Sequence, residues 1–225
     1  MSSLKSDPFR MFFRTAILTG LISLCLVSAA SSQTAQTTPA AGPPVFTGIV
    51  VECSGTQRMQ MDRVVSVIKQ FAEAMQTGDE AFVVRYVDPT RTSVVQELTK
   101  ERSDLNDAAE GLYVEGGQTS LYDALEYAAK YFAKNKASGG SPTLILISSG
   151  EDKNDKSAEG TLSLLKEQQI RVYSIGISDL KVSPKSLERL SRDTGGRSYV
   201  PRTTAELSNA VIDITKSMHG AAAAK

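Results

Sequence analysis

Short runs of β-branched and other apolar residues alternate along the chain with segments whose apolar residues recur every three or four positions. The runs typical of strands are Val45–Val51, Ala81–Val87, Ser93–Leu98, Thr143–Ser148, Arg171–Ile177 and Ser198–Val200. The segments with helical spacing are Met61–Met75, Leu105–Leu112, Leu121–Phe132, Leu162–Gln169, Pro184–Thr194 and Leu207–Met218. This alternation predicts an α/β domain with a doubly wound, mostly parallel six-stranded sheet and helices on both faces.

The lengths of the connections refine this topology. Only Asp88–Thr92 separates the second strand from the third, which is too short for a parallel crossover, so we expect one antiparallel strand at an edge of the sheet. Sheets of this kind bind ligands beyond the carboxyl ends of the strands, where the strand order reverses. The loops to inspect are therefore Val51–Gln57, Val114–Asp123 at the entry to the helix at Leu121, and Ser148–Asp155.

The N-terminal part of the chain has a different composition. Basic residues precede an apolar run at Ala16–Val27, and small residues follow it. This order is typical of a secretory signal peptide, because a spanning helix needs about 20 apolar residues. We predict a signal peptide over residues 1–30, a flexible Pro/Ser/Thr/Ala linker over 31–44, the folded domain over 45–218 and a disordered tail over 219–225, in a secreted or periplasmic protein not inserted in the membrane after cleavage.

Charge and rare residues exclude several functions. The chain has 25 basic and 25 acidic residues, a balance that gives no electrostatic footprint for nucleic acid. Signal cleavage would leave Cys53 as the sole cysteine, which predicts a buried core residue and no internal disulfide. Phosphate-binding glycine motifs and the G-x-S-x-G motif of serine hydrolases are absent, and the single histidine, His219, falls in the predicted tail. We therefore expect no catalysis.

Five sequence stretches carry a resemblance to a known family: VVECSGTQ at Val50–Gln57, GGQTSLYDALEYA at Gly116–Ala128, LILISSGEDKND at Leu144–Asp155, RVYSIGI at Arg171–Ile177 and TGGRSYVP at Thr194–Pro201. With them, the domain from about residue 45 to 218 resembles a von Willebrand factor A (VWFA) domain, and more closely the VWFA-related domains of secreted bacterial proteins. The resemblance implies a protein-binding or adhesion role.

Many members of that family hold Mg²⁺ or Mn²⁺ in a metal-ion-dependent adhesion site made of Asp-x-Ser-x-Ser, a separate Thr and a separate Asp. The resemblance places these roles on Glu52, Ser54, Thr56, Thr119 and Ser149. Three hydroxyls remain, but Glu52 is one methylene longer than Asp and Ser149 carries no charge. Because Mg²⁺ demands near-ideal geometry, we expect a degraded site that needs no cofactor, with Mg²⁺ or Mn²⁺ binding as the alternative.

The same hydroxyl residues have a structural interpretation. Ser54–Gln57 has the pattern of a capping box, and Ser120–Asp123 has similar chemistry at a helix start. If no ion binds, we expect the loop containing Glu151, Asp152 and Asn154 to contact the partner, which would be another protein or a component of the extracellular matrix or cell envelope. The alternative is a structural scaffold of an envelope complex that binds through its helices.

Overall fold

The computed structural model describes residues 43–135, 141–153 and 155–223, and its strands and helices follow the predicted order. The strands are β1 (Val45–Glu52), β2 (Glu80–Tyr86), β3 (Ser93–Thr99), β4 (Ser141–Ser148), β5 (Arg171–Gly176) and β6 (Ser198–Tyr199). The helices are α1 (Met61–Ala74), α2 (Arg102–Glu110), α3 (Leu121–Lys134), α4 (Ala158–Glu167), α5 (Pro184–Asp193) and α6 (Thr204–Ala223). The predicted signal peptide and most of the predicted linker lie outside the described residues.

The strands form one sheet in the order β3-β2-β1-β4-β5-β6. Only β3 is antiparallel to its neighbour, and it lies at an edge, as predicted from its short connection to β2. β1 pairs in parallel with both β2 and β4, so the strand order reverses at the centre of the sheet. This pairing brings the carboxyl end of β1, at Glu52, next to the carboxyl end of β4.

Alternate residues of the central strands enter two separate hydrophobic cores. Ile145 and Ile147 of β4 belong to the core covered by α1, α2 and α6, whereas Leu144 and Leu146 belong to the core covered by α3, α4 and α5. All four side chains are fully buried, which explains why this strand is continuously apolar in the sequence. The predicted doubly wound α/β fold is therefore confirmed.

The last helix extends further than the sequence pattern indicated. The boundary predicted at Met218 falls inside α6, which continues to Ala223, so the predicted tail is helical over its described part. His219 lies in this helix, where its Nε2 is 2.8 Å from Oδ2 of Asp79, a carboxylate that also accepts hydrogen bonds from the backbone N–H groups of Val45 and Gln76. Neither α6 nor any other described helix is long and apolar enough to cross a membrane.

The His219–Asp79 pair makes the stability of the chain depend on pH. The hydrogen bond that His219 makes to the Asp79 carboxylate raises the pKa of His219 above its usual range. Burial favours a higher pKa for Asp79, but the hydrogen bonds that its carboxylate accepts from His219 and from the backbone lower that pKa. A raised folded-state pKa means that the histidine stabilises the fold below about pH 6.5, and that this contribution is lost as pH rises through the folded value.

We therefore expect His219→Gln to lower the free energy of unfolding by about 1 kcal/mol near pH 6 and by less near pH 9. Urea unfolding of both chains across this range measures the difference. Because His219 is the sole histidine of the chain, a difference that stays constant with pH would show that the protonated pair does not stabilise the fold.

Candidate functional site

A buried carboxylate lies where β1 and β4 end. Glu52, the last residue of β1, carries a carboxyl group and yet is fully inaccessible to solvent. Its Oε1 accepts hydrogen bonds from the hydroxyls of Ser54 and Thr56, both at 2.6 Å. Its Oε2 accepts from the hydroxyl of Ser148 at 2.8 Å and from the backbone N–H and hydroxyl of Ser149 at 2.7 and 2.9 Å. We call Glu52 and these four partners the Glu52 cluster.

The cluster continues on the β4 side through Ser148. The hydroxyl of Ser148 accepts hydrogen bonds from the Tyr86 hydroxyl and from the backbone N–H of Gly150, both at 2.9 Å. Burial and the nearby Glu52 carboxylate raise the pKa of Tyr86 well above its usual range, so that this phenol remains a donor. Sequence reasoning missed both Ser148 and Tyr86. Ser148 could have been recognised as a candidate, because it is a polar residue at the end of a continuously apolar strand.

The turn after β4 requires a glycine. Gly150 has φ +78°, and a Cβ there would lie 2.7 Å from Cγ of Leu187 and 2.9 Å from the carbonyl oxygen of Ser183. The backbone N–H of Ser183 donates to the carbonyl of Ser149 at 2.7 Å. The start of α5 is thereby held against the turn, which keeps the Ser149 side chain next to Glu52.

On the β1 side, the predicted capping box is present only in part. The Ser54 hydroxyl accepts a hydrogen bond from the backbone N–H of Thr56, at the start of a short 3₁₀ turn. Gln57 does not reach back to Ser54 as a capping box requires, because its Nε2 donates to the carbonyl oxygen of Ile177 at 2.7 Å. Gln57 therefore ties this loop to the end of β5.

The hydrogen bonds of Thr119 go to the loop that follows β4 and not to the Glu52 cluster. Its side chain is almost completely buried, and its hydroxyl donates to the backbone carbonyl of Glu151 at 3.0 Å. Its own carbonyl accepts from the backbone N–H of Lys153 at 2.9 Å. Glu52, Ser54, Thr56 and Ser149 are thus directly hydrogen-bonded, whereas Thr119 is bonded to the loop that follows β4.

The residues predicted to contact a partner have mixed environments. Glu151 is half-buried, and its carboxylate lies 3.9 Å from Nζ of the exposed Lys153. Asp152 accepts a hydrogen bond from the backbone N–H of Tyr122 at 2.8 Å and so caps α3. The capping prediction for Ser120 was wrong, because its side chain makes no cap hydrogen bond. Asn154 lies outside the described residues.

Cys53 is a core residue, as its position after a buried strand suggested. The side chain is fully buried, and burial raises the pKa of its thiol to about 11, although the nearby Arg85 guanidinium opposes this shift. A thiol that stays protonated and inaccessible at neutral pH is a poor nucleophile and a poor metal ligand. Within the described residues there is also no cluster of three or more His, Cys, Asp and Glu side chains arranged to hold a metal.

Two further loops meet at this edge, and sequence reasoning did not connect them. The backbone N–H of Asp179, after β5, donates to the carbonyl of Thr56 at 2.8 Å. Oδ2 of Asp179 in turn accepts from the backbone N–H of Met59 at 2.7 Å. The segments 56–59 and 177–181 are therefore joined beside the Glu52 cluster by a carboxylate that no local motif marks.

Comparisons with known proteins agree with this architecture. Among solved structures, the chain is similar to a von Willebrand factor type A protein from Catenulispora acidiphila, with TM-score 0.67 and 21% identity over 78% of this chain and 43% of that one. It is also similar to an aerotolerance-related membrane protein from Bacteroides fragilis, with TM-score 0.64 and 13% identity over 77% and 100% of the two chains. A third similar structure is the vWF domain of the type V pili tip protein Mfa5 from Porphyromonas gingivalis, with TM-score 0.62 and 13% identity over 81% and 97%.

Comparisons of the amino-acid sequence identify the family. No curated protein matches the chain. The model of the family described as von Willebrand factor type A domain matches residues 48–215, which is most of the described fold. The chain therefore belongs to the von Willebrand factor type A family.

Proposed function

We propose that this chain is a secreted or periplasmic protein-binding module that works without a metal ion and without catalysis, and that binds through the carboxyl edge of its sheet. One observation carries the proposal: the buried Glu52 carboxylate accepts five hydrogen bonds from Ser54, Thr56, Ser148 and Ser149. Glu52 and three of these residues, Ser54, Thr56 and Ser149, are four of the five positions that the family resemblance assigns to the metal site.

The donor set does not fit Mg²⁺ or Mn²⁺. Such ions are bound through one or two carboxylates with water, and Mg²⁺ tolerates displaced ligands poorly. Here Glu52 is the one carboxylate of the set, and both its oxygens are occupied by hydroxyl and amide donors. Ser149 adds no charge, and the Thr119 hydroxyl is bonded to a backbone carbonyl. The cluster is satisfied by its own hydrogen bonds, as a buried polar group must be.

The fold and the family support a protein partner. VWA domains commonly mediate protein interactions, and one similar structure is the vWF domain of a pilus tip protein. If no cation is present to bind a carboxylate of the partner, the partner must contact side chains that are exposed to solvent at this edge. The half-buried Glu151 and the exposed Lys153 are such side chains next to the cluster.

The position of the histidine supports a role without catalysis. His219 is bonded to Asp79, which directly precedes β2 and so lies at the opposite, amino-terminal edge of the sheet. A general base there is remote from Ser149 and from the other hydroxyls of the Glu52 cluster. Within the described residues, no histidine or reactive thiol is positioned to activate those hydroxyls.

Site-specific photo-crosslinking in the cells that make the chain tests the contact face. A photoreactive phenylalanine analogue replaces Lys153, whose side chain is 58% exposed at the carboxyl edge. A matched variant carries it at Lys130, which is 69% exposed on α3. We expect a discrete crosslinked product from position 153, equally strong with EDTA, and none from position 130.

Two results would contradict the proposal. Crosslinking from position 130 alone would favour the alternative, a scaffold domain that binds through its helices. A product from position 153 that disappears with EDTA would mean that a cation takes part in recognition.

A further inference from the structure

The most exposed large apolar side chains of the described domain lie in the two loops that Asp179 joins. Met59 is 80% exposed and Leu180 is 83% exposed, whereas the next most exposed large apolar side chain, that of Tyr113, is 55% exposed. Isolated exposed apolar residues are common on protein surfaces. Here, however, two of them project from loops that are hydrogen-bonded to each other beside the Glu52 cluster.

Each of these apolar residues has an exposed basic neighbour in the sequence. Arg58 precedes Met59, and Lys181 follows Leu180. Within the described part of the chain, neither basic side chain forms an ion pair. The carboxylate of Asp179, the residue before Leu180, accepts the backbone N–H of Met59 through Oδ2. We call Arg58, Met59, Leu180 and Lys181 the Met59–Leu180 patch.

We propose that the Met59–Leu180 patch is the contact surface for a short partner segment in which large apolar side chains are flanked by carboxylates. This inference rests on the proposed function and names the chemistry of its partner. Burying Met59 and Leu180 against apolar side chains would remove their exposed surface from water. Carboxylates beside those side chains would pair with Arg58 and Lys181, which form no ion pair with the described residues.

The size of the patch indicates a segment rather than a whole domain. A stable interface between folded proteins buries about 800 Å² on each partner, and two apolar side chains with two basic ones supply only part of that area. A flexible segment that inserts its apolar residues beside the Glu52 cluster needs less surface. The contribution of charge to such binding falls as the ionic strength rises.

A displayed library of random peptides provides the probe. The purified chain is used for selection, and peptides that also bind the Met59→Ser/Leu180→Ser variant are discarded. Both substituted side chains are solvent-exposed, and the joining hydrogen bond uses the backbone of Met59, so we expect this variant to fold normally. A circular dichroism spectrum and unfolding curve like those of the parent chain establish this.

We expect the surviving peptides to be enriched in Asp and Glu next to Leu, Ile, Phe or Met. Each should bind the Met59→Ser/Leu180→Ser variant about tenfold more weakly than the parent chain. Binding to Arg58→Gln/Lys181→Gln should lose most of its salt dependence. The control variant Tyr127→Ser/Ile212→Ser, altered at exposed apolar residues of α3 and α6, should bind as the parent does.

Three results would overturn the inference. These are a selection that yields no peptides specific for the parent chain, peptides enriched in basic residues, and self-association of the parent chain that the Met59→Ser/Leu180→Ser change abolishes. Self-association of this kind would mean that a second copy of the chain occupies the patch.

The crosslinking experiment distinguishes this inference from the proposed function. If position 153 still crosslinks a partner in cells, the proposed function holds even though the patch is not the contact surface. If crosslinks come only from Lys130, both proposals fail.

Discussion

Replacing Glu52 with alanine is expected to lower the free energy of unfolding by about 3 kcal/mol or more, a fall of roughly 6–12 °C in Tm for a chain of this size. The carboxylate is the shared acceptor for donors from two strand ends. Its removal leaves these hydroxyl and amide groups buried without their partner, and unsatisfied buried donors are costly. It also leaves a cavity where the side chain was fully enclosed.

Urea unfolding of the parent chain and of Glu52→Ala, with Glu151→Ala as the control, measures this effect. Glu151 lies at the same edge but is only half-buried, and its ion pair with Lys153 is exposed, so we expect its replacement to cost about 1 kcal/mol or less. If Glu52→Ala were as stable as Glu151→Ala, the Glu52 cluster would not hold the two strand ends together.

The change Ser149→Asp is expected to destabilise the chain by about 2–4 kcal/mol in EDTA at neutral pH, because it places a second carboxylate beside a buried one. The Ser149 hydroxyl is 2.9 Å from Oε2 of Glu52, so the new carboxylate would replace a hydrogen-bond donor by a like charge. The same change restores the charge that the family resemblance expects at this position. Millimolar Mg²⁺ should therefore recover part of the lost stability.

Thermal unfolding of Ser149→Asp with EDTA and with Mg²⁺ measures both effects. Ser93→Asp, an equal change of charge at an exposed position of β3, should alter Tm little under either condition. Acidification should also reduce the penalty in Ser149→Asp, because one of two adjacent carboxyl groups then binds a proton. Unchanged stability of Ser149→Asp in EDTA would mean that its side chain avoids Glu52.

The sequence pattern predicted the fold well because the central strands are buried on both faces. The run Thr143–Ser148 has the composition of such a strand, and β4 contains it entirely. The antiparallel edge strand β3 followed from the short segment Asp88–Thr92, since chain length limits which crossovers can form. These features depend on local composition and on connection length, which a single sequence contains.

The helix caps and the end of α6 were harder to predict because distant residues determine them. Ser120 precedes α3, but the cap comes from Asp152, which accepts the backbone N–H of Tyr122 from 30 residues further along the chain. α6 continues beyond Met218, where apolar side chains no longer recur at helical spacing. Alanine favours helix in that stretch, and His219 is held by Asp79, which is far away in the sequence.

The family resemblance singled out Glu52, Ser54, Thr56 and Ser149, which are hydrogen-bonded to one another in the structure. It gave no sign of Ser148, and it grouped with them Thr119, whose hydroxyl donates to the backbone of Glu151. Hydropathy cannot indicate that Glu52 is fully buried, because the cost of burial is offset by donors from a strand that lies remote in the sequence. The hydrogen bond from Met59 to Asp179 could not be predicted for the same reason, because the two residues are 120 positions apart in the sequence.

Thermal unfolding of the parent chain in EDTA and in millimolar Mg²⁺ or Mn²⁺ tests most directly whether the Glu52 cluster replaces the metal. An ion that binds only the folded chain, at 100 times its Kd, adds about 2.7 kcal/mol, which corresponds to a rise of about 5–10 °C in Tm. We expect the curves to coincide, while Ser149→Asp shows that the assay detects an ion when a second carboxylate is present. A rise of this size in the parent chain that Thr119→Ala removes would contradict the account.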